Sequence, residues 1–138
     1  MKKYWVAVQV VVMLTKVRIG LQLASLPRLL RLIDRPLGTS PGNQDKIERV
    51  ADYIDRLLRV YPENPKGNCL PRALILYSFA RRYGFPVQFR CGVRKVEEHL
   101  DGHAWVTLDD APFLEPTNHC RQFSVTLSFP EQLEYRIR

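Results

Sequence analysis

The chain has 138 residues, 46% of them hydrophobic and 25% charged, with a formal net charge of +7. This is ordinary globular usage for one small domain with a short appendage, and it excludes collagen-like, coiled-coil, multi-span membrane and wholly disordered chains. Residues 1–35 carry seven basic residues against one acidic, whereas 36–138 carry 14 against 13; a nearly neutral body speaks against nucleic acid as a partner, which wants its basic patch on the folded domain.

In chain order, Lys2-Lys3 and the apolar run Tyr4–Leu14 come first. The run is short for a bilayer span, Lys16 and Arg18 end it, and no small-residue cleavage site follows. Val6, Val10, Leu14, Val17 and Leu21 recur at helical spacing and predict an amphipathic helix. Leu26–Ile33 repeats the basic, apolar theme. Residues 1–35 are therefore read as an N-terminal helical extension. It packs on the body or docks to a partner; contact with an anionic membrane surface is the further option. Residues 36–43, rich in Pro, Gly and small polar side chains, are a linker.

The body, 44–138, opens with a helix over Gln44–Val60, whose Ile47, Val50, Ala51, Ile54, Leu57 and Leu58 share a face. After the breaker stretch Pro62–Asn68, the stripe Leu70, Ala73, Leu74, Tyr77 predicts a helix over Cys69–Tyr83, stopped by Gly84 and Pro86. The period then changes to two. Strands are expected over Val87–Arg94, His103–Leu108, Pro112–Glu115 and Phe123–Phe129, with a turn at Asp109-Asp110. Helices followed by an antiparallel meander make the class α+β.

Three cysteines, Cys69, Cys91 and Cys120, do not make a disulfide framework, and a reducing cytoplasm is expected. Cys69 stands at the first turn of its helix, where unpaired amides and the helix dipole favour a thiolate and can donate to an oxyanion. Cys91, in an alternating apolar row, fits a packing role. Cys120 has no evident role. A cysteine nucleophile needs a base, and the base an orienting acceptor. His103 opens a strand on the face of Trp105. Glu115 shares its parity, so a hairpin folded about Asp109 would bring the two together on one face. On spacing alone this triad competes with structural roles for each residue. A metal centre would have to draw on scattered ligands (His99, His103, His119-Cys120), and no C-x-x-C, P-loop or dinucleotide fingerprint is present.

Cys69-Leu-Pro-Arg-Ala-Leu74, Arg81-Arg-Tyr-Gly-Phe-Pro-Val87, Gly92-Val-Arg-Lys95 and Gly102-His-Ala-Trp-Val106 together resemble the transglutaminase-like proteases of lasso-peptide biosynthesis, over about residues 44–118. The resemblance implies a papain-like cysteine protease core that removes the leader from a ribosomal precursor, with no cofactor and no metal. It aligns Cys69 with the nucleophile and His103 with the base. Glu115 falls where that family usually has an aspartate, with Asp109 and Asp110 as fallbacks. Asn68 is a candidate oxyanion donor and Trp105 a candidate cleft wall. In many members a leader-recognition domain precedes the protease. None fits in 1–43, so the resemblance implies a split system whose partners are the precursor peptide, a separate leader-recognition protein and an ATP-dependent lasso cyclase. Two other readings stay open: amide transfer to an amine by the same residues, and a non-catalytic peptide-binding module.

Overall fold

A computed structural model describes residues 2–34, 37–38, 42–60, 69–115 and 120–129. Four helices come first: α1 (Lys2–Leu23), α2 (Leu26–Ile33), α3 (Gln44–Val60) and α4 (Cys69–Arg82). Four strands follow: β1 (Gln88–Val96), β2 (His99–Leu108), β3 (Ala111–Pro112) and β4 (Ser124–Phe129). The expected α+β class, helices before an antiparallel sheet, is the one observed.

Local chemistry explains the element ends. Asn43 Oδ1 accepts from the Lys46 amide and caps α3. Pro71 lies in the first turn of α4, where its missing N–H leaves nothing unpaired. At the other end, Phe85 N donates to Ala80 O and Gly84 N to Arg81 O, with Gly84 at φ 93°. That is a Schellman motif, and it needs a residue at ease in the left-handed region.

Helix α4 is the centre of the molecule: Ala73 through Ala80 are all buried. On one side it meets α1, α2 and α3 through Val10, Leu14, Val17, Leu30, Ile47 and Ile54; on the other it meets the sheet through Phe89, Ala104 and Val106, in one continuous core. The N-terminal helices thus pack into the same core as the body. The α2 end is tied down as well, with Tyr77 Oη donating to Asp34 Oδ1 at 2.8 Å and Ser78 Oγ to Ile33 O at 3.3 Å. Helix α1 runs straight through Lys16 and Arg18 instead of ending there. Its span Tyr4–Leu23 is long and apolar enough to cross a membrane by length and composition.

The sheet order is β3-β2-β1-β4, antiparallel throughout. The expected meander is corrected at its last strand: β4 pairs with β1 and not with β3. The third strand is two residues long rather than four. Its shortness matters. Pairing ends with Thr107↔Pro112, and Phe113 N still reaches Val106 O at 2.8 Å. Beyond that, among the described residues, no strand covers the far edge of β2 at His103 and Ala104.

Candidate active site

Three elements converge on that open edge. The start of α4 brings Cys69. Its sulfur is hydrogen-bonded to the His103 ring and receives the backbone N–H groups of Ala104 and Leu70. His103 Nε2 lies 2.6 Å from Glu115 Oε2, which leaves Nδ1 as the ring nitrogen for Cys69. Glu115 comes from the segment after β3. Cys69, His103 and Glu115 are therefore brought together in one chain of hydrogen bonds, with the His103 and Glu115 side chains 10% and 13% exposed.

The route by which Glu115 arrives differs from the parity argument. The two-residue turn has Asp109 and Asp110 at φ 53° and 65°, and it sets Leu108 opposite Ala111 and Thr107 opposite Pro112. Continued, that register would put Glu115 opposite Ala104, on the face away from His103. Leu114, at φ 56°, breaks the strand and swings Glu115 across. A non-glycine residue in that region is strained. Arg72, one helical turn after Cys69, holds the kink: Nη2 donates to Leu114 O at 3.1 Å, Nε to Asp55 Oδ1 at 2.7 Å, and Nη1 stands 4.0 Å from Glu115 Oε1.

The electrostatics follow from these contacts. The hydrogen bond from His103 holds the Cys69 thiol below its ordinary value of 9.0, outweighing burial, with the Ala104 amide and the His103 charge helping. Burial alone would push the His103 imidazole down. The hydrogen bonds to Cys69 and Glu115, and their charges, instead raise it to about 9. Burial pushes Glu115 up, and His103, Cys120 and Arg72 more than offset it, leaving the carboxyl below the usual range. At neutral pH these contacts favour the imidazolium and the carboxylate, and they shift Cys69 toward its thiolate.

The remaining expectations separate cleanly. Trp105 is buried and stacks on His103 (centroids 5.6 Å apart, planes at 15°), under Phe123. It steadies the imidazole from behind. Asp109 and Asp110 stay at the hairpin tip, where Asp110 pairs with Arg90 at 2.6 Å; neither serves His103. Asn68 and His119 lie outside the described residues. His99 is four residues from His103 along a strand, about 13 Å away, and exposed. Cys91 sits half-buried beneath a Thr126 hydroxyl, and burial raises its thiol. An open groove of about 320 Å³ borders Trp105 and Cys120, but Cys69 does not line it.

Two contributors carried no role in the sequence reading. Arg72 was only part of a motif; its i+3 spacing from Cys69 was the available signal. Cys120, which donates to Glu115 Oε2 at 2.7 Å, had none, because no periodicity links it to a carboxylate five positions earlier. His103, Glu115 and Cys120 also bring three ligand-type atoms within 4.8 Å of one another, a donor set that suits zinc. In the present arrangement, hydrogen bonds join these atoms to one another.

No curated protein and no solved structure matches the chain. A family model described as the transglutaminase-like superfamily matches residues 11–128, a family in which cysteine peptidase or transglutaminase-type chemistry is the common activity. That stretch takes in α4, the sheet up to Ser128 and all the residues gathered around His103, and the chain belongs to the transglutaminase-like superfamily.

Proposed function

We propose that the protein is a cysteine peptidase that cleaves the leader from a ribosomally made lasso-peptide precursor, with Cys69, His103 and Glu115 as its catalytic triad. The observation that carries the chemistry is the hydrogen-bonded row from Cys69 through His103 to Glu115. The substrate class rests on the motifs around Cys69, Arg81 and His103 given above.

The Cys69 thiolate attacks the carbonyl carbon at the leader–core junction, forming a carbon–sulfur bond and a tetrahedral oxyanion. The Cys69 amide, in the first turn of α4 where no intrahelical acceptor is available, is the donor for that oxyanion, with Asn68 as a second. The His103 imidazolium gives its proton to the departing amine as the carbon–nitrogen bond breaks. The neutral imidazole then takes a proton from water, whose oxygen attacks the thioester and releases the leader acid and free Cys69. Glu115 fixes the ring and stabilises its charged form. The freed core amine passes to a separate ATP-dependent cyclase, and a separate leader-recognition protein presents the precursor.

The test is incubation with a precursor peptide, with and without a leader-binding partner, followed by mass spectrometry. Free leader acid and free core are expected, and Cys69→Ala abolishes both. Cleavage by Cys69→Ala overturns the triad. An adduct between the leader carboxyl and an added amine, with no hydrolysis, selects amide transfer. Tight precursor binding with no covalent change selects a binding module.

A further inference from the structure

Helix α1 is apolar on both sides. Val10, Met13, Leu14 and Val17 face the core. On the opposite side stand Trp5 (64% exposed), Val8, Val11, Val12 and Ile19 (51%), at positions that share one helical stripe. The α2 helix also exposes an apolar side chain, Leu32 (74% exposed), together with Arg28 and Arg31. A helix on a protein surface ordinarily turns a polar face outward; one that is apolar all round is covered on both sides.

The fringe of this patch indicates what covers it. Lys16, Arg28 and Arg31 are exposed on these two helices, and residues 1–33 contain no acidic residue. An apolar stripe with an aromatic residue near its end and a border of one positive sign matches the chemistry of a helix lying in the plane of an anionic bilayer. A second copy of the chain would bring the same positive border against itself, so like charges would meet. We propose that the outer face of α1, with the tip of α2, seats the protein on an anionic lipid surface. The inner face of α1 stays in the core, so the helix lies flat and does not cross. This proposal is independent of the peptidase reading.

The test uses the full chain and two vesicle preparations, phosphatidylcholine with phosphatidylglycerol, and phosphatidylcholine alone. Co-sedimentation is expected with the first and not the second, and it weakens as salt screens the basic border. Each basic residue reversed among Lys16→Glu, Arg28→Glu and Arg31→Glu lowers partitioning at least fivefold, on the order of the attraction one Lys or Arg gains at an anionic surface. Trp5→Ser/Val8→Ser/Val12→Ser, at exposed positions and with unchanged circular dichroism, releases the protein. Vesicles shift the emission of the wild type to the blue and leave Trp5→Phe unmoved. Failure to bind the anionic vesicles, equal binding to both preparations, or a stable dimer in sedimentation with the Trp5 face shielded overturns the proposal.

Discussion

The Cys120 thiol donates a 2.7 Å hydrogen bond to Glu115 Oε2, the oxygen that also accepts from His103 Nε2. Burial, with the carboxylate beside it, pushes this thiol up to about 12. It is therefore a fixed donor and not a second nucleophile. By holding Oε2 from the far side, it keeps Glu115 aimed at His103. Cys120→Ala is expected to lower kcat roughly tenfold, the scale of a lost hydrogen bond to a charged group. Cys120→Ser, which keeps a donor, retains most of it. Equal rates for both variants and wild type would remove the residue from the positioning role.

Arg72 joins Asp55 on α3 to the Leu114 carbonyl and lies near Glu115 Oε1. A lysine has neither the reach nor the fork to serve all three. Arg72→Lys should leave Cys69 and His103 in place but let the Leu114 kink relax. Displacing Glu115 by about 1 Å costs on the order of a hundredfold in turnover. Part of the stability loss is screened, because Asp55 is 39% exposed. The checking measurement is kcat at pH 7 beside a thermal melt: a large fall in kcat with a small fall in Tm is the expected pair.

The two shifts that face each other across Cys69 and His103 set the pH behaviour. Thiolate is needed and imidazolium is needed, so activity is expected as a bell. Its alkaline limb lies near pH 9, where His103 loses its proton, and its acid limb lies below the ordinary thiol value. Alkylation by iodoacetamide, followed by peptide mapping, should label Cys69 well before Cys91 or Cys120 at neutral pH. His103→Ala should move the Cys69 inflection upward, since the His103 hydrogen bond is the largest influence lowering it.

Stability follows the same groups. His103 is raised from 6.5, so its contribution is complete below pH 6.5 and disappears as pH rises through about 9. Glu115 is lowered from 4.5, so its contribution is present above pH 4.5 and lost as pH falls below that value. Urea titrations across pH should show a maximum between those limits, and Glu115→Gln should flatten both sides.

Gly92 lies where β1 meets an irregularity in β4, the register shifting between Cys91 and Gly92. A Cβ there would stand 2.5 Å from Ser124 O and 3.2 Å from the Trp105 ring. Strand backbone cannot step aside as a flexible side chain does. Gly92→Ala is expected to destabilise by about 1–3 kcal/mol, as overpacking does, and to disturb the ring that stacks on His103. Differential scanning calorimetry and tryptophan fluorescence check the two effects.

Much of the architecture is local and was legible. Gln44–Val60 and Leu26–Ile33 match their helices residue for residue, because apolar spacing and capping chemistry act within a few positions. The Asp109-Asp110 turn, and Cys69 at the start of α4, are equally local. The early end of the strand expected over 112–115 was not legible, because a positive φ at Leu114 leaves no mark on apolar alternation.

What the sequence by itself determined, then, is the list of helices and strands and the residue types available for chemistry. Tertiary structure decided where β4 pairs, how Glu115 crosses to the face of His103, and that Cys120 and Arg72 hold it there. The physical reason is range. Periodicity and turn preference are set by neighbours in the chain, while the aim of a carboxylate after a backbone kink is set by groups from three other parts of the fold closing on it at once.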